Sequence, residues 1–187
     1  MVHPRAQRAF RVSGLGVVSC CSHLRLTGFS CELTRGKAIC ELGGGMAALA
    51  GVVAAAVGKP SKMVLTEGNP QCVANLQEII EENSPPVNPY FGTNEPGKGI
   101  VTSRQILWDT NVSYAREFDV IFVADCLYAI DVQDSLLHVI KQSLLPKGSV
   151  YIMAPKRGKR YLRTERKKKT ISSAKKLPLP LPFPSQL

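Results

Sequence analysis

Short apolar runs alternate with longer amphipathic or small-residue stretches through the middle of the chain. Continuous apolar runs bounded by turn residues are typical of buried strands, and an apolar period near 3.6 residues is typical of helices. Strands are predicted at 37–42, 62–66, 99–107, 118–124 and 149–153. Helices are predicted at 46–57, 70–82 and 132–145. This alternation predicts an α/β fold with a doubly wound, mostly parallel Rossmann-like sheet.

The two ends of the chain depart from this pattern. Residues 1–36 are rich in Arg and Ser without a clear period, and we expect an irregular basic segment there, with a mitochondrial transit peptide as the alternative. Residues 156–187 are first basic and then alternate Leu with Pro, which favours polyproline II and predicts a disordered tail. The predicted domain therefore spans 37–155.

The charge is distributed unevenly along the chain. The net charge of +10 is typical of nucleic-acid-binding proteins, but residues 156–176 carry +10 by themselves and residues 1–37 carry +5. Residues 38–155 carry −5, so dedicated nucleic-acid binding is not expected of the domain. No apolar run reaches the roughly 18–20 residues that span a bilayer, and no membrane segment is predicted.

The six cysteines predict no special chemistry. They form no C-x-x-C pair, so we predict no metal site, and a chain of this length has a sufficient core without disulfides. Reduced thiols indicate a cytoplasmic protein. Lys167, Lys168 and Lys169 fit either a nuclear-import patch or a solvated tail, and the nucleus is a second expected location.

Glycines and acids follow the first two predicted strands, at the edge where doubly wound sheets bind ligands. Gly43 and Gly45 let a ligand approach the backbone, although a turn made only for packing has the same sequence. Glu67 can accept both hydroxyls of a ribose or act as a helix cap, and Asn69 belongs to the same turn. Glu41 would repel a pyrophosphate and suit a cation. Together these residues predict a site for S-adenosylmethionine.

Two further groups lie at the ends of the third and fourth strands. Trp108 and Asp109 are predicted on the adenine side of the ligand, with a Trp that only anchors the sheet edge as the alternative. Ala124 and Asp125 close the fourth strand, and Asp125 with Tyr128 can hold an amine through its charge and a cation–π contact. A capping Asp beside a packed Tyr is the alternative. Cys126 between them is predicted to be a small core residue.

These motifs carry a family resemblance. The runs A-I-C-E-L-G-G-G-M, V-L-T-E-G-N, I-L-W-D and F-D-V-I-F-V-A-D-C-L-Y resemble the seven-strand S-adenosylmethionine-dependent protein methyltransferases. Within them, the D-x-x-Y motif from Asp125 to Tyr128 is similar to that of the family-16 lysine methyltransferases. The resemblance covers about 37–159 and implies the class I methyltransferase fold.

The resemblance also implies an activity and a partner. It implies lysine N-methylation with S-adenosylmethionine as cofactor, calmodulin as the protein substrate, and a monomer. Glu41, Gly43 and Gly45 would contact the methionyl part, Glu67 the ribose, and Asp125 with Tyr128 the lysine.

The chain also departs from the family. The family's W-P-type segment before the first strand and its final strands have no counterpart here, so we expect a truncated or variant form. An inactive methyltransferase-like remnant that binds a partner is the alternative, and an NAD-type oxidoreductase is a third hypothesis.

Overall fold

One six-stranded sheet organises the protein, whose computed structural model describes residues 33–83, 100–127, 131–153 and 174–175. The strand order is β3-β2-β1-β4-β5-β6, and each neighbouring pair is parallel. The strands are β1 (Ala38–Leu42), β2 (Lys62–Glu67), β3 (Val101–Gln105), β4 (Phe118–Ala124), β5 (Leu144–Met153) and β6 (Ala174–Lys175). This sheet confirms the predicted fold class.

Within the described ranges, three helices cover the two faces of the sheet. They are α1 (Leu49–Gly58), α2 (Pro70–Asn83) and α3 (Gln133–Ser143). Ala54 of α1 and Leu76 of α2 share a buried cluster with Met63 of β2. Leu136 of α3 packs in a second cluster with Val64, the next residue of the same strand. Since successive strand residues point to opposite faces, α1 and α2 lie on one face and α3 lies on the other.

The chain reverses its direction of travel across the sheet between β1 and β4. From β1 it proceeds through β2 to β3, and it then returns to the other side of β1 to form β4. This reversal leaves a crevice at the carboxyl ends of β1 and β4, the usual ligand position in such sheets. Within the described residues, no helix is long and apolar enough to cross a bilayer.

Strand β3 is two residues shorter at each end than predicted, most other ends shift by one or two residues, and the larger differences concern α1 and β5. Helix α1 begins at Leu49 rather than Met46, because Ala48 has φ 41 and left-handed backbone cannot belong to the helix. Strand β5 begins at Leu144 and includes the Pro-Lys-Gly segment that we predicted as a turn. Its pairing with β4 shifts register between Phe118 and Val120, which accommodates those extra residues. Strand β6 was not predicted and lies within the segment 156–187 that we predicted as a tail. The limits of the domain and of the tail otherwise stay predictions.

Candidate functional site

The glycine turn after β1 forms the floor of the crevice. Gly43 has φ +69, and a Cβ there would lie 2.8 Å from both Cys126 Sγ and Trp108 Cζ2. Gly45 has φ +61, but a Cβ there would meet nothing within 4 Å. Gly43 therefore allows close packing underneath the turn, and Gly45 borders open space. A backbone exposed in this way fits a cofactor that lies directly on the turn.

Glu41 caps α1 from the preceding strand. The residue is 1% exposed, and its Oε2 accepts a 2.5 Å hydrogen bond from the Gly51 amide. The helix has no other side-chain cap, because its N-cap residue is Ala48. Burial raises the pKa of Glu41 to about 7, although hydrogen bonds from the Gly51 and Ala50 amides act in the opposite direction. The carboxylate therefore points into the protein, and its predicted contact with the methionyl part stays a prediction.

This cap limits which ligands fit. Dinucleotide-binding folds present the amides of the first helix to a pyrophosphate. Here the carboxylate of Glu41 occupies the Gly51 amide in the first turn of α1. Because this amide is already paired, the first turn of α1 has one N–H fewer for an anion, and this disfavours a pyrophosphate at the helix N-terminus.

Glu67 ties the end of β2 to the glycine turn. Its Oε2 accepts a hydrogen bond from the Gly45 amide, and its Oε1 accepts one from the Gly68 amide, both at 2.8 Å. Oε1 also accepts a longer bond of 3.4 Å from the Asn69 amide, whereas Oε2 keeps a second lone pair that can accept a ribose hydroxyl. Asn69 is exposed, and its Oδ1 accepts a 2.9 Å bond from the Gln71 amide in the first turn of α2. The structure thus brings Glu67 to Gly45, whereas Asn69 caps a helix.

The segment after β3 places Trp108 and Asp109 differently from each other. Trp108 is partly buried and packs against the core beside Gly43. Asp109 Oδ1 accepts bonds from the Asn111 amide at 2.8 Å and from its side chain at 3.0 Å. The indole therefore anchors the sheet edge next to the turn, and Asp109 stabilises its own loop. Their contacts with an adenine stay a prediction.

Two exposed apolar side chains flank the end of β2, and sequence reasoning missed them. Leu107 is 59% exposed, and its Cδ2 lies 3.7 Å from where a Cβ on Gly68 would be. Met46 is 57% exposed, and its Sδ is 3.4 Å from Cys72 Sγ on α2. The sequence feature that could have indicated them is an apolar residue that comes just after a strand or a glycine turn. They provide apolar surface beside the carboxylate of Glu67.

The end of β4 holds the predicted amine-binding acid. Asp125 has φ 55, which is uncommon for a residue other than glycine, and its amide donates a 2.8 Å bond to the Met153 carbonyl. Ala124 is buried and ends the strand. A left-handed backbone redirects the chain at this point, next to the crevice. Such an outlier at a strand end is typical of a functional site. Tyr128 lies outside the described residues.

Cys126 belongs to the core, as predicted. Its Sγ lies 3.3 Å from the Leu42 carbonyl and 3.4 Å from the Gly43 carbonyl. Burial raises the pKa of the thiol, so it stays protonated at neutral pH and is a poor nucleophile. Its contacts join the segment after β4 to the glycine turn. Among the residues that the structure describes, no cluster of His, Cys, Asp and Glu is suited to a metal ion.

An ion-pair cluster lies away from these strand ends. Glu117, just before β4, accepts bonds from Lys62 at 2.7 Å and from Arg104 at 2.6 Å. Burial alone would raise the pKa of Glu117, but these two partners outweigh burial and lower it. This cluster therefore joins β2 and β3 to the segment before β4, and its two cations are both paired with Glu117.

Comparison with known proteins identifies relatives of the chain. A family model described as lysine methyltransferase matches residues 15–176. A calmodulin-lysine N-methyltransferase from Arabidopsis thaliana is 33% identical over 131 residues, which are 68% of this chain and 40% of that protein. The chain thus spans about two-fifths of the length of this relative. The match confirms the family that the motifs indicated, and because this family uses S-adenosylmethionine, the cofactor prediction is also confirmed.

Solved structures show the same fold. A methyltransferase from Pyrococcus furiosus aligns with a TM-score of 0.58 at 20% identity, covering 83% of this chain and 71% of that one. A putative RNA methyltransferase from Pyrococcus horikoshii aligns with a TM-score of 0.56 at 15% identity, covering 86% and 69%. At these identities, the likeness concerns the fold alone.

Proposed function

The chain belongs to the lysine methyltransferase family whose model matches it, and on this basis we propose that it transfers methyl groups from S-adenosylmethionine to a lysine of calmodulin. The transfer chemistry follows from the family. The choice of calmodulin rests on the similarity to the Arabidopsis thaliana enzyme, which this chain matches over 40% of that protein's length. Calmodulin is therefore the first substrate to test.

The observation that carries the proposal is the arrangement of the two acids around the glycine turn. Glu67 Oε2 accepts a 2.8 Å bond from the Gly45 amide and keeps a second lone pair for a ribose hydroxyl. Glu41 caps α1 and so removes an amide that a pyrophosphate would need. A nucleoside without a pyrophosphate, attached to a cationic group, fits this arrangement. S-adenosylmethionine has these properties, whereas NAD does not.

The residues of the chain are proposed to bind and orient the two reactants. Gly43 and Gly45 would lie under the methionyl part, and Glu67 would bind the ribose. Trp108 and Asp109 would border the adenine. The cofactor, when bound, supplies a methyl group on a positively charged sulfur, which makes that carbon electrophilic. This scheme assigns no role to a metal, because the group that leaves a sulfonium is a neutral thioether.

Asp125 is proposed to hold the substrate lysine together with Tyr128. A lysine ammonium has an ordinary pKa of about 10.4 and must lose a proton before its nitrogen can attack. Exclusion of water lowers that pKa, and a carboxylate that accepts one N–H orients the remaining lone pair. With the cofactor bound, an amine held in this way would take its methyl group, and the electron pair of the carbon–sulfur bond would remain on sulfur. The strained backbone of Asp125 at the end of β4 supports this assignment.

A second candidate is a non-catalytic relative that binds a partner. The two functions differ in turnover, because a non-catalytic form can bind the cofactor without consuming it.

Methyl transfer by the full chain tests the proposal. Purified protein is incubated with calmodulin and tritium-labelled S-adenosylmethionine, and lysine methylation is located by mass spectrometry. Asp125→Asn keeps the shape and tolerates the left-handed backbone, so it should fold and yet reduce transfer at least tenfold. Asp131→Asn, at an exposed position beyond the site, is the matched control and should retain activity. Cofactor binding without transfer by the wild type would instead favour the non-catalytic relative.

A further inference from the structure

The residues that lead into Trp108 are attached to the end of β2. The Ile106 amide donates a 3.1 Å hydrogen bond to the Glu67 carbonyl, and Gln105 Nε2 donates a 2.8 Å bond to the Gly68 carbonyl. The backbone before Trp108 is therefore held beside the carboxylate that is proposed to bind the ribose. Trp108 comes two residues after the Ile106 bond, so the direction of its indole depends on the peptide bond in between.

Tyr114 holds that peptide bond from the other side. Its hydroxyl donates a hydrogen bond to the Leu107 carbonyl, which belongs to the peptide bond between Leu107 and Trp108. Because a peptide group is planar, a bond to its carbonyl also fixes the orientation of the Trp108 amide. The Tyr114 ring packs against the same core cluster as Trp108. Burial and the charge of Asp109 raise the pKa of Tyr114, so the hydroxyl stays protonated and can donate at neutral pH.

The indole of Trp108 lies directly against the glycine turn. A Cβ on Gly43 would be 2.8 Å from Trp108 Cζ2, so the turn and the ring have no space between them for a side chain. The Gly45 amide of the same turn binds the Glu67 carboxylate at 2.8 Å. The glycine turn, Glu67 and Trp108 are thus connected to one another, and Tyr114 supports this arrangement from the loop between β3 and β4.

We propose that Tyr114 is a positioning residue of the cofactor site, and that its hydroxyl sets the orientation of Trp108 against the glycine turn. The inference rests on the proposed place of Trp108 beside the adenine, and it does not depend on the identity of the protein substrate. Without the hydroxyl, the Leu107 carbonyl can turn and the indole can change its direction. An aromatic ring contributes fully to a binding site only when its neighbours hold it close to the productive geometry.

Tyr114→Phe tests the inference, because it removes only the hydroxyl. Trp108 is the only tryptophan in the sequence, so fluorescence reports on this one indole. Without ligand, the variant should emit at longer wavelength and be quenched more by acrylamide. Its affinity for S-adenosylhomocysteine, measured by calorimetry, should fall about fivefold, as expected from losing one hydrogen bond. Tyr151→Phe is the matched control on the opposite face of the sheet, beside Phe122, and should leave emission and affinity as in the wild type.

A double-mutant cycle distinguishes positioning from a structural role. In a Trp108→Phe background, Tyr114→Phe should change the affinity by less than about twofold, because Tyr114 acts through the indole. The full fivefold loss in that background would overturn the inference. Unchanged Trp108 emission or unchanged affinity in the single variant would overturn it as well.

The same binding measurements separate the inference from the proposed function. If the wild type does not bind S-adenosylhomocysteine, the cofactor site fails and the inference falls with it. If the cofactor product binds as predicted but calmodulin is not methylated, only the proposed function is contradicted, and the effect of Tyr114→Phe on emission and affinity still decides the inference.

Discussion

Replacing Glu41 by Gln should change how stability depends on pH. Burial raises the pKa of Glu41 from 4.5 to about 7 in the folded protein. The folded state then binds the proton more tightly than the unfolded chain does, so the free energy of unfolding falls as the pH rises through this interval. At about 1.4 kcal/mol per pKa unit, the loss is about 3 kcal/mol. Glutamine does not titrate, but its amide oxygen can still accept the Gly51 N–H.

Urea denaturation at intervals from pH 5 to pH 8 measures this difference. Between pH 5 and pH 8, the stability of the wild type relative to Glu41→Gln should decrease by roughly 2–3 kcal/mol, and most of this decrease should occur below pH 7.5. Glu78→Gln, at an exposed position of α2, is the control and should follow the wild type. Parallel curves for wild type and Glu41→Gln would refute the assignment of Glu41 as a buried, titrating cap.

Three other substitutions test the site, with Gly36→Ala as a control for the first of them. Gly45→Ala and Gly36→Ala place a side chain at φ +61 and +67 with no neighbour within 4 Å, so each should lower the free energy of unfolding by about 1 kcal/mol. Only Gly45→Ala should also weaken the binding of S-adenosylhomocysteine, measured by calorimetry. Equal binding by both variants would contradict the claim that the cofactor lies on the glycine turn. Glu67→Gln should weaken the same binding at least tenfold, because it removes the charge that accepts the ribose hydroxyls; an unchanged dissociation constant would exclude that role. Cys126→Ala should retain methyl transfer within about threefold, and abolished transfer by a folded variant would contradict a purely structural thiol.

The sequence predicted the sheet well, because buried parallel strands are continuous apolar runs. The run 118–124 coincides with β4, and the acid at the end of β2 was found from its spacing to the glycines. Rules based on neighbouring residues failed for the start of α1, because its capping side chain comes from a residue outside the helix start. Glu41 caps a helix that begins eight positions later, and a search for Ser, Thr, Asp or Asn beside the helix start cannot find it.

Two further features depend on tertiary structure. The left-handed backbone of Asp125 accompanies a hydrogen bond from its amide to the Met153 carbonyl, and β5 comes to lie beside β4 only in the folded sheet. The buried side-chain oxygen of Gln133 on α3, which has no hydrogen bond within the described part of the chain, is likewise invisible in a helical period, which shows only that a polar residue interrupts an apolar stripe. Both residues lie near the carboxyl edge of the sheet, and both depart from local preferences: Asp125 in its backbone conformation and Gln133 in its polarity at a buried position.

The central claim is that the carboxyl edge of β1, β2 and β4 binds S-adenosylmethionine. Isothermal titration of the full chain with S-adenosylhomocysteine tests it most directly, with NAD titrated in parallel. We predict one binding site for S-adenosylhomocysteine, binding at least tenfold weaker in Glu67→Gln, and no detectable binding of NAD. Absence of S-adenosylhomocysteine binding at millimolar concentration, or equal binding of NAD, would contradict the account.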